Sequence, residues 1–381
     1  MILKGFDFGN EAGDDASPEE LASYFVEQDY FNDYLNKSKR VLIATARKGV
    51  GKSALLKRLA NVLQIYDPDS LVIRCRGFDL ARDAFKLTNS LTTPNDHIRD
   101  WMIRICALVN REIARQIKFA ITDEKITLVE SAEIDGYKEK NIVSCLISRF
   151  EKLADKLSPK KSEIKDHLAI LKRVKAPHVY LLIDDLDATF QNTDNECLAL
   201  STFFSACRYL TQDVSGISFR VTMRSDVWPT IRRYDESLDK LEQYVSEMNW
   251  SSDEFRTLLF KRIESQSISN RFTLPDRKEN ESDEDYEERT LKMLFVEKVE
   301  WGKKNVHSYK VIHTLSYERP RWAIQLCKLA QLSAIRKRRT VISKEEIDDV
   351  WGDYGAKRIA DLVAEHKHQC KQIEELITAF R

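Results

Sequence analysis

The run Val41-Leu42-Ile43-Ala44-Thr45-Ala46-Arg47-Lys48-Gly49-Val50-Gly51-Lys52-Ser53-Ala54-Leu55-Leu56 constrains this chain more than any other stretch. An apolar segment enters a short loop with two glycines, and a Lys-Ser pair leads out of it. Leu55, Leu56, Leu59, Val62 and Leu63 then recur at helical spacing. A strand that turns through glycines into a helix N-terminus points successive backbone N–H groups inward, where the helix dipole already favours negative charge. The segment therefore reads as a phosphate-binding P-loop, the Walker A motif. Arg47, Lys48, Gly49, Val50, Gly51, Lys52, Ser53 and Ala54 are its candidate phosphate-contacting residues. Gly49 and Gly51 supply backbone freedom, Lys52 is expected as an exposed loop cation that reaches the β- and γ-phosphates of ATP, and the Ser53 hydroxyl suits Mg2+. The usual pattern is G-x-x-x-x-G-K-[ST]. Here Ala46 stands at the first position, a departure at the entry turn that leaves the cation and the hydroxyl in place.

A second segment has the form of a Walker B strand. Val179-Tyr180-Leu181-Leu182-Ile183 is apolar without alternation and ends in Asp184-Asp185-Leu186-Asp187. Such a run suits a central strand buried on both faces, whose C-terminal tip is where open α/β sheets place ligands. Asp184 is the expected Mg2+ ligand and Asp185 the residue that orients or deprotonates an attacking water, with Asp187 a weaker candidate. Ile217-Ser218-Phe219-Arg220-Val221-Thr222-Met223 reads as a further strand with Arg224-Ser225-Asp226 at its tip. In a P-loop sheet with a strand inserted between the two Walker strands, this tip faces the γ-phosphate, and Arg224 or Ser225 is the candidate there. The same residues also suit an ordinary charged surface loop.

Three segments follow from spacing. Residues 1–40 read as a leader and a helix with Leu21, Tyr24, Phe25 and Phe31 on its apolar face. Residues 41–248 hold the core, with Leu71-Val72-Ile73-Arg74-Cys75 as a second strand and a helical insertion over about 80–175, because the stretch from Lys52 to Asp184 is far longer than one strand–helix–strand unit needs. Within it Ile98, Trp101, Met102, Ile105, Leu108 and Val109 form a stripe expected to pack on the core. Residues 249–381 are expected as a C-terminal helical lid domain, entered at Asn249-Trp250-Ser251-Ser252-Asp253-Glu254 with Ser251 or Ser252 as the cap. Residues 276–285, charged and free of apolar side chains, read as a solvated mobile loop, with helix resuming near 287. Further on, Tyr317-Glu318-Arg319-Pro320-Arg321-Trp322 places proline in a first helical turn between two arginines. Arg321, and after it Arg319, is the arginine expected to reach a nucleotide from the lid; both also suit pairing with carboxylates inside the helical domain.

Composition narrows the function classes. The 61 basic and 61 acidic residues cancel, so no net charge advertises nucleic acid or an anionic membrane as a partner. The basic run Arg336-Lys337-Arg338-Arg339 is the place where a nucleic-acid-dependent motor would touch phosphates, though a solvated helix end accounts for it more simply. Seven cysteines without a CxxC pair suit reduced thiols in a cytoplasmic setting. No segment has the make-up of a signal peptide or of a membrane span. No HExxH, Ser-His-Asp order or nuclease carboxylate cluster stands out, which leaves nucleotide hydrolysis as the chemistry with a sequence basis.

Taken in order, the glycine loop at 47–53, Asp184-Asp185, Arg224-Ser225-Asp226, the Trp250 helix entry and Arg319-Pro320-Arg321 resemble the prokaryotic P-loop ATPases of the KAP and STAND branches of the AAA+-like NTPases. The resemblance spans roughly the whole chain. It implies an α/β fold with an additional-strand (ASCE-type) parallel core and a helical lid, ATP with Mg2+, nucleotide-controlled assembly as a homo-oligomer or with a separate effector protein, and a place in bacterial antiviral defence or signalling. The expected activity is that of an ATPase switch. A nucleic-acid-dependent ATPase and a nucleotide-binding scaffold with little hydrolysis are the alternatives.

Overall fold

The computed structural model describes residues 2–81, 91, 93–116, 140–142, 144–149, 178–268, 272–367 and 369–379. Most of the expected helical insertion, and the last two residues of the chain, lie outside the described residues. In chain order the elements used below are α1 (Pro18–Tyr24), β1 (Val41–Ala46), α2 (Lys52–Tyr66), β2 (Leu71–Arg76), α3 (Pro94–Gln116), β3 (Val179–Asp184), α4 (Asp194–Asp213), β4 (Ile217–Arg224) and β5 (Val245–Glu247). They continue with α5 (Ser252–Ile268), α6 (Asp283–Leu291), β6 (Lys298–Trp301), β7 (Lys304–His307), α7 (Ser308–Leu315), α8 (Pro320–Arg336) and α9 (Lys344–His366). Contacts divide the chain into two compact units: Asn32–Thr45 with Leu59–Glu247, and Met1–Phe31 with Ala46–Arg58 and Met248–Arg381.

The first of these units is a parallel sheet with helices. Its five strands run in the order β2-β3-β4-β1-β5, with Leu71 opposite Val179, Val179 opposite Ile217 and Ile43 opposite Val245. One strand, β4, thus separates the P-loop strand from the Asp-Asp strand, which is the additional-strand arrangement. Both β1 and β3 are buried along their whole length, as apolar runs without alternation require of central strands. The stripe on α3 packs against α4, with the Trp101 and Phe203 rings 5.3 Å apart and Trp101 Nε1 donating to the Ala199 carbonyl at 2.8 Å. Thr193 and Glu196 close a capping box at the start of α4.

In the other unit, helices α5 to α9 gather the N-terminal segment. Leu3, Phe6, Phe8, Leu21 and Tyr24 are buried, and two long side chains from the C-terminal helices take up the segment's carbonyls. Gln331 Nε2 donates to Leu3 and Phe6, each at 2.7 Å, while Arg262 donates to Phe8 and Asn10 and lies 4.1 Å over the Tyr24 ring. Lys57 Nζ on α2 donates to the carbonyls of Asp14 and Ala16. The leader is therefore part of the same unit as the glycine loop and the C-terminal helices.

Ser251 is the cap at the start of α5, exchanging hydrogen bonds with Glu254. The charged stretch is a solvent-exposed loop as far as Ser282, and helix resumes at Asp283 rather than near 287. Ser282 caps α6, which starts at Asp283, and Glu281 accepts from Arg289 Nε and Nη2 at 2.8 and 2.7 Å. Asp283, Glu284 and Asp285 sit in the first turn of α6, where the dipole favours them. All seven cysteines are free thiols. No described helix is long and apolar enough to cross a membrane.

Candidate functional site

The glycine loop leaves β1 at Ala46 and enters α2 at Lys52. Gly49 and Gly51 have φ of 82° and 123°, values that strain any residue with a Cβ, and nothing lies within 4 Å of where a Cβ on Gly51 would stand. That open hollow at a helix N-terminus fits a phosphate. The expected exposure of Lys52 is not what the structure has. Lys52 is 8% exposed, with Nζ folded back onto the carbonyls of Ala46 and Arg47 at 3.0 and 3.3 Å. An ammonium with three donors satisfies itself on the loop's own acceptors.

The outer side of the loop is held by residues from far along the chain. Arg47 pairs with Glu318 at 3.2 Å, the Lys48 N–H donates to Glu365 Oε1 at 3.2 Å, the Gly49 carbonyl accepts from the Arg321 N–H at 3.3 Å, and the Val50 carbonyl accepts from Trp250 Nε1 at 2.8 Å. Trp250 is fixed in turn by His313, whose Nε2 lies 2.8 Å from the Trp250 carbonyl. The turn that presents Arg319 and Arg321 is strained: Tyr317 and Glu318 have φ of 53° and 60°, two adjacent left-handed residues without glycine.

The two candidate arginines part company here. Arg319 is 2% exposed, its Nη1 bonded to Glu365 Oε2 at 2.7 Å and its guanidinium 4.2 Å over the Trp322 ring. A cation buried, paired and stacked in this way fits the carboxylate pairing that the sequence also allowed for it. Arg321 differs. Its Cβ and Cδ stand 3.4 and 3.9 Å from where a Cβ on Gly49 would be, and among the described residues its guanidinium has no hydrogen bond or ion pair.

The acidic cluster lies at the carboxyl ends of β3 and β4. Asp184 is 9% exposed. Its Oδ1 accepts from Thr222 Oγ1 and from the Asp185 N–H, which leaves Oδ2 without a hydrogen bond among the described residues. Asp185 is exposed and left-handed at φ 49°, a conformation that aspartate tolerates better than most residues. Asp187 is 2% exposed and accepts from the Arg224 N–H at 3.1 Å. The Arg224 guanidinium is held by Asp226 through Nε at 3.1 Å and through Nη2, so a phosphate has to compete with that carboxylate for it. Ser225, the alternative at this tip, makes no side-chain hydrogen bond among the described residues.

Thr222 is the residue that the sequence reading missed. Ser218, Arg220 and Thr222 are all fully buried and alternate along β4, so the period-2 rule puts them on one face. Ser218 meets His178 at 2.8 Å, and Thr222 meets Asp184. Arg220 donates to the carbonyls of Tyr34, Asn36, Lys39 and Phe219 at 2.7 to 2.9 Å. A polar residue at every second position of an otherwise apolar buried strand was the available signal. Burial also lowers the Arg220 pKa, to about 10, which leaves it charged at neutral pH.

Other candidates resolve into structure. In the basic run at the end of α8, Lys337 pairs with Glu345 and Asp349 and Arg339 pairs with Glu345, which spends two of its cations within the unit.

Residues 253–363 match a family described as the FunZ-associated C-terminal helical domain. No curated protein matches the sequence. Among solved structures, the Aeropyrum pernix ORC2 protein in ADPNP–ADP complexes is similar at 14% identity over 87% of this chain, with a TM-score of 0.41. The Aeropyrum pernix ORC1 protein in complex with DNA is similar at 11% identity over 89% of this chain and 68% of its own, with a TM-score of 0.37. C. elegans PCH-2 is similar at 13% identity over 90% of this chain and 72% of its own, with a TM-score of 0.36. The chain spans 65% of the length of the ORC2 protein in those complexes.

Proposed function

We propose that this chain binds ATP at the glycine loop and hydrolyses it as a conformational switch, its C-terminal helices responding to the nucleotide through Arg321. The observation that carries this reading is the Arg321 guanidinium, unpaired among the described residues, beside a left-handed glycine loop at a helix N-terminus. A buried lysine, Lys52, lies folded on that loop's own carbonyls. Phosphate oxygens are better acceptors for an ammonium than peptide carbonyls are, so Lys52 exchanges partners on binding at little cost. Ser53 and Asp184 are the residues that would hold Mg2+, with the free Oδ2 of Asp184 supporting its assignment; the ion would neutralise charge on the phosphates. Asp185 is the proposed acceptor of the proton from the attacking water. Arg224 is proposed as the arginine that answers to the γ-phosphate, on release from Asp226.

The resemblance to the KAP and STAND branches supports a role in bacterial defence or signalling, in the cytoplasm, with a second copy of the chain or a separate effector as partner. A guanidinium that bonds a phosphate in one arrangement of the helices and not in another shifts the equilibrium between them by its differential affinity. Calorimetric titration with ATP and Mg2+ tests the site. Lys52→Ala is expected to lose about 100-fold or more in affinity while staying folded by circular dichroism, and wild-type affinity in a folded Lys52→Ala protein would remove the assignment. Arg321→Ala is expected to retain binding but lose the nucleotide-dependent change in size and compactness seen by mass photometry and small-angle scattering. An unchanged response would return Arg321 to a structural role.

A further inference from the structure

The least economical arrangement in the molecule is at the end of α9. Glu365 sits in the last turn of that helix, where the negative end of the dipole disfavours a carboxylate. Its side chain is 2% exposed and that of its partner Arg319 is 3% exposed. A buried ion pair stabilises a fold little, if at all, against an apolar pair of the same size, because both ions lose their water. Arg319 Nε, moreover, has no hydrogen-bond partner among the described residues. Stability alone therefore does not account for this pair. Glu365 does something else with its second oxygen: Oε1 accepts the Lys48 N–H at 3.2 Å while Oε2 holds Arg319 Nη1 at 2.7 Å. Two residues on, the Arg321 N–H holds the Gly49 carbonyl. One carboxylate thus spans the entry half of the glycine loop and the first turn of the arginine helix.

We propose that Glu365 is a positioning residue for the nucleotide site, fixing the Lys48 peptide of the loop and the Arg319 end of α8 together, so that the last turn of α9 sets the affinity of the loop for phosphate. The proposal rests on the nucleotide-binding reading above. Lys48 and Gly49 are consecutive, and the N–H of one and the C=O of the other are both held from the C-terminal helices, which defines the loop's path before Val50 and Gly51. Without the carboxylate the loop samples other paths, and a phosphate must select the competent one, which lowers its apparent affinity by the fraction populated. Glu365 is outside the family-matched span of 253–363.

Two measurements test this, on full-length Glu365→Ala, Arg319→Ala and the double variant. Hydrogen exchange of a peptide covering 47–50 is expected to quicken in Glu365→Ala, with the peptides of β3 and β4 unchanged, and this readout needs no nucleotide. Titration with ATP and Mg2+ is expected to show about a ten-fold loss in each single variant and no further loss in the double, because both changes break one strut. Glu365→Gln, which keeps an acceptor at nearly the same volume, should fold where Glu365→Ala does not and should recover part of the affinity. A residue with only a structural role would lower the melting temperature while leaving exchange at 47–50 and the affinity of the folded protein at wild-type values; that result, or additive losses, overturns the proposal. If the wild type binds no ATP, the nucleotide reading fails instead, and the exchange experiment still decides the strut.

Discussion

Asp184 is held by the strand beside it and by its own neighbour's amide, whereas the loop at 47–50 is held by Trp250, Glu318, Arg321 and Glu365, residues 200 to 317 positions further along the chain. The acidic tip belongs to β3 and β4, central strands buried on both faces. The loop depends on caps and turns of helices, one of them strained at Tyr317 and Glu318. A group fixed within a packed sheet moves only when the sheet does, while a loop gripped by helix ends follows whatever displaces those ends. On the function proposed above, the sheet tip would carry the chemistry and the loop the response. Substitution of Asp185 at the tip should change turnover without changing affinity much, and substitution of Glu365 behind the loop should change affinity more than turnover.

The sharpest way to break that contrast is at the adjacent carboxylates. Asp185→Asn is expected to bind ATP at near wild-type affinity and to hydrolyse it about 10²–10⁴-fold more slowly, since the amide keeps the shape but accepts no proton. Asp184→Asn should instead weaken binding that depends on Mg2+, and leave binding without the ion untouched. Single-turnover hydrolysis measured beside calorimetry separates the two. Equal losses of affinity in both variants would mean that the sheet tip is not divided between metal holding and proton transfer.

A change of comparable size is expected in stability rather than function. Among the described residues Arg220 heads the fully buried side chains by size and has no ion pair, and it satisfies the carbonyls of Tyr34, Asn36 and Lys39. Arg220→Met removes the charge but leaves those carbonyls without donors, at a cost of about 3–5 kcal/mol, read as a lower midpoint in urea unfolding. The corresponding change at the loop, Arg319→Ala, should cost less stability and more affinity. If Arg220→Met is as stable as the wild type, the segment before β1 finds other donors, and the sheet is less rigidly specified than its hydrogen bonds imply.

The sheet was readable because its signals are local. Unalternated apolar runs at 41–46 and 179–184, ending in glycine-lysine and in paired aspartates, each state their own geometry, and the position of β4 between them follows from the Walker pair. The loop's supports were less legible because each is a tertiary pairing. Nothing in the stretch around Glu365 marks it apart from other helical glutamates, and the fates of Arg319 and Arg321 are decided by one turn of helix: Arg319 faces Trp322 and Glu365, Arg321 faces Gly49. Thr222 lay between these extremes. Its alternation with Ser218 and Arg220 was present in the sequence, but polar residues in a buried strand show their purpose only once their partners on neighbouring elements are known.

The smallest expected effect is a pH dependence that originates in the sheet. The His178 ring lies tilted against Tyr180, centroids 4.7 Å apart, and meets Ser218 Oγ at 2.8 Å. Burial, and then the positive charges of Lys37, Arg220 and, behind the opposing charge of Asp67, Arg40, lower its pKa from 6.5 to about 4. The unfolded chain therefore takes up a proton near pH 6.5 that the folded chain refuses until about pH 4. Between those values the unfolded state binds more protons, so stability rises with pH, and the contribution of neutral His178 is fully present above about 6.5 and is lost as the pH falls towards 4. One proton sets an upper limit of about 1.4 kcal/mol per pH unit on the slope. Urea unfolding from pH 4 to 8 should show this acid limb in the wild type and a flatter one in His178→Gln, which keeps a polar partner for Ser218 but does not titrate. Parallel curves for the two proteins would mean that other groups carry the acid sensitivity and that the His178 ring reaches water when it needs to.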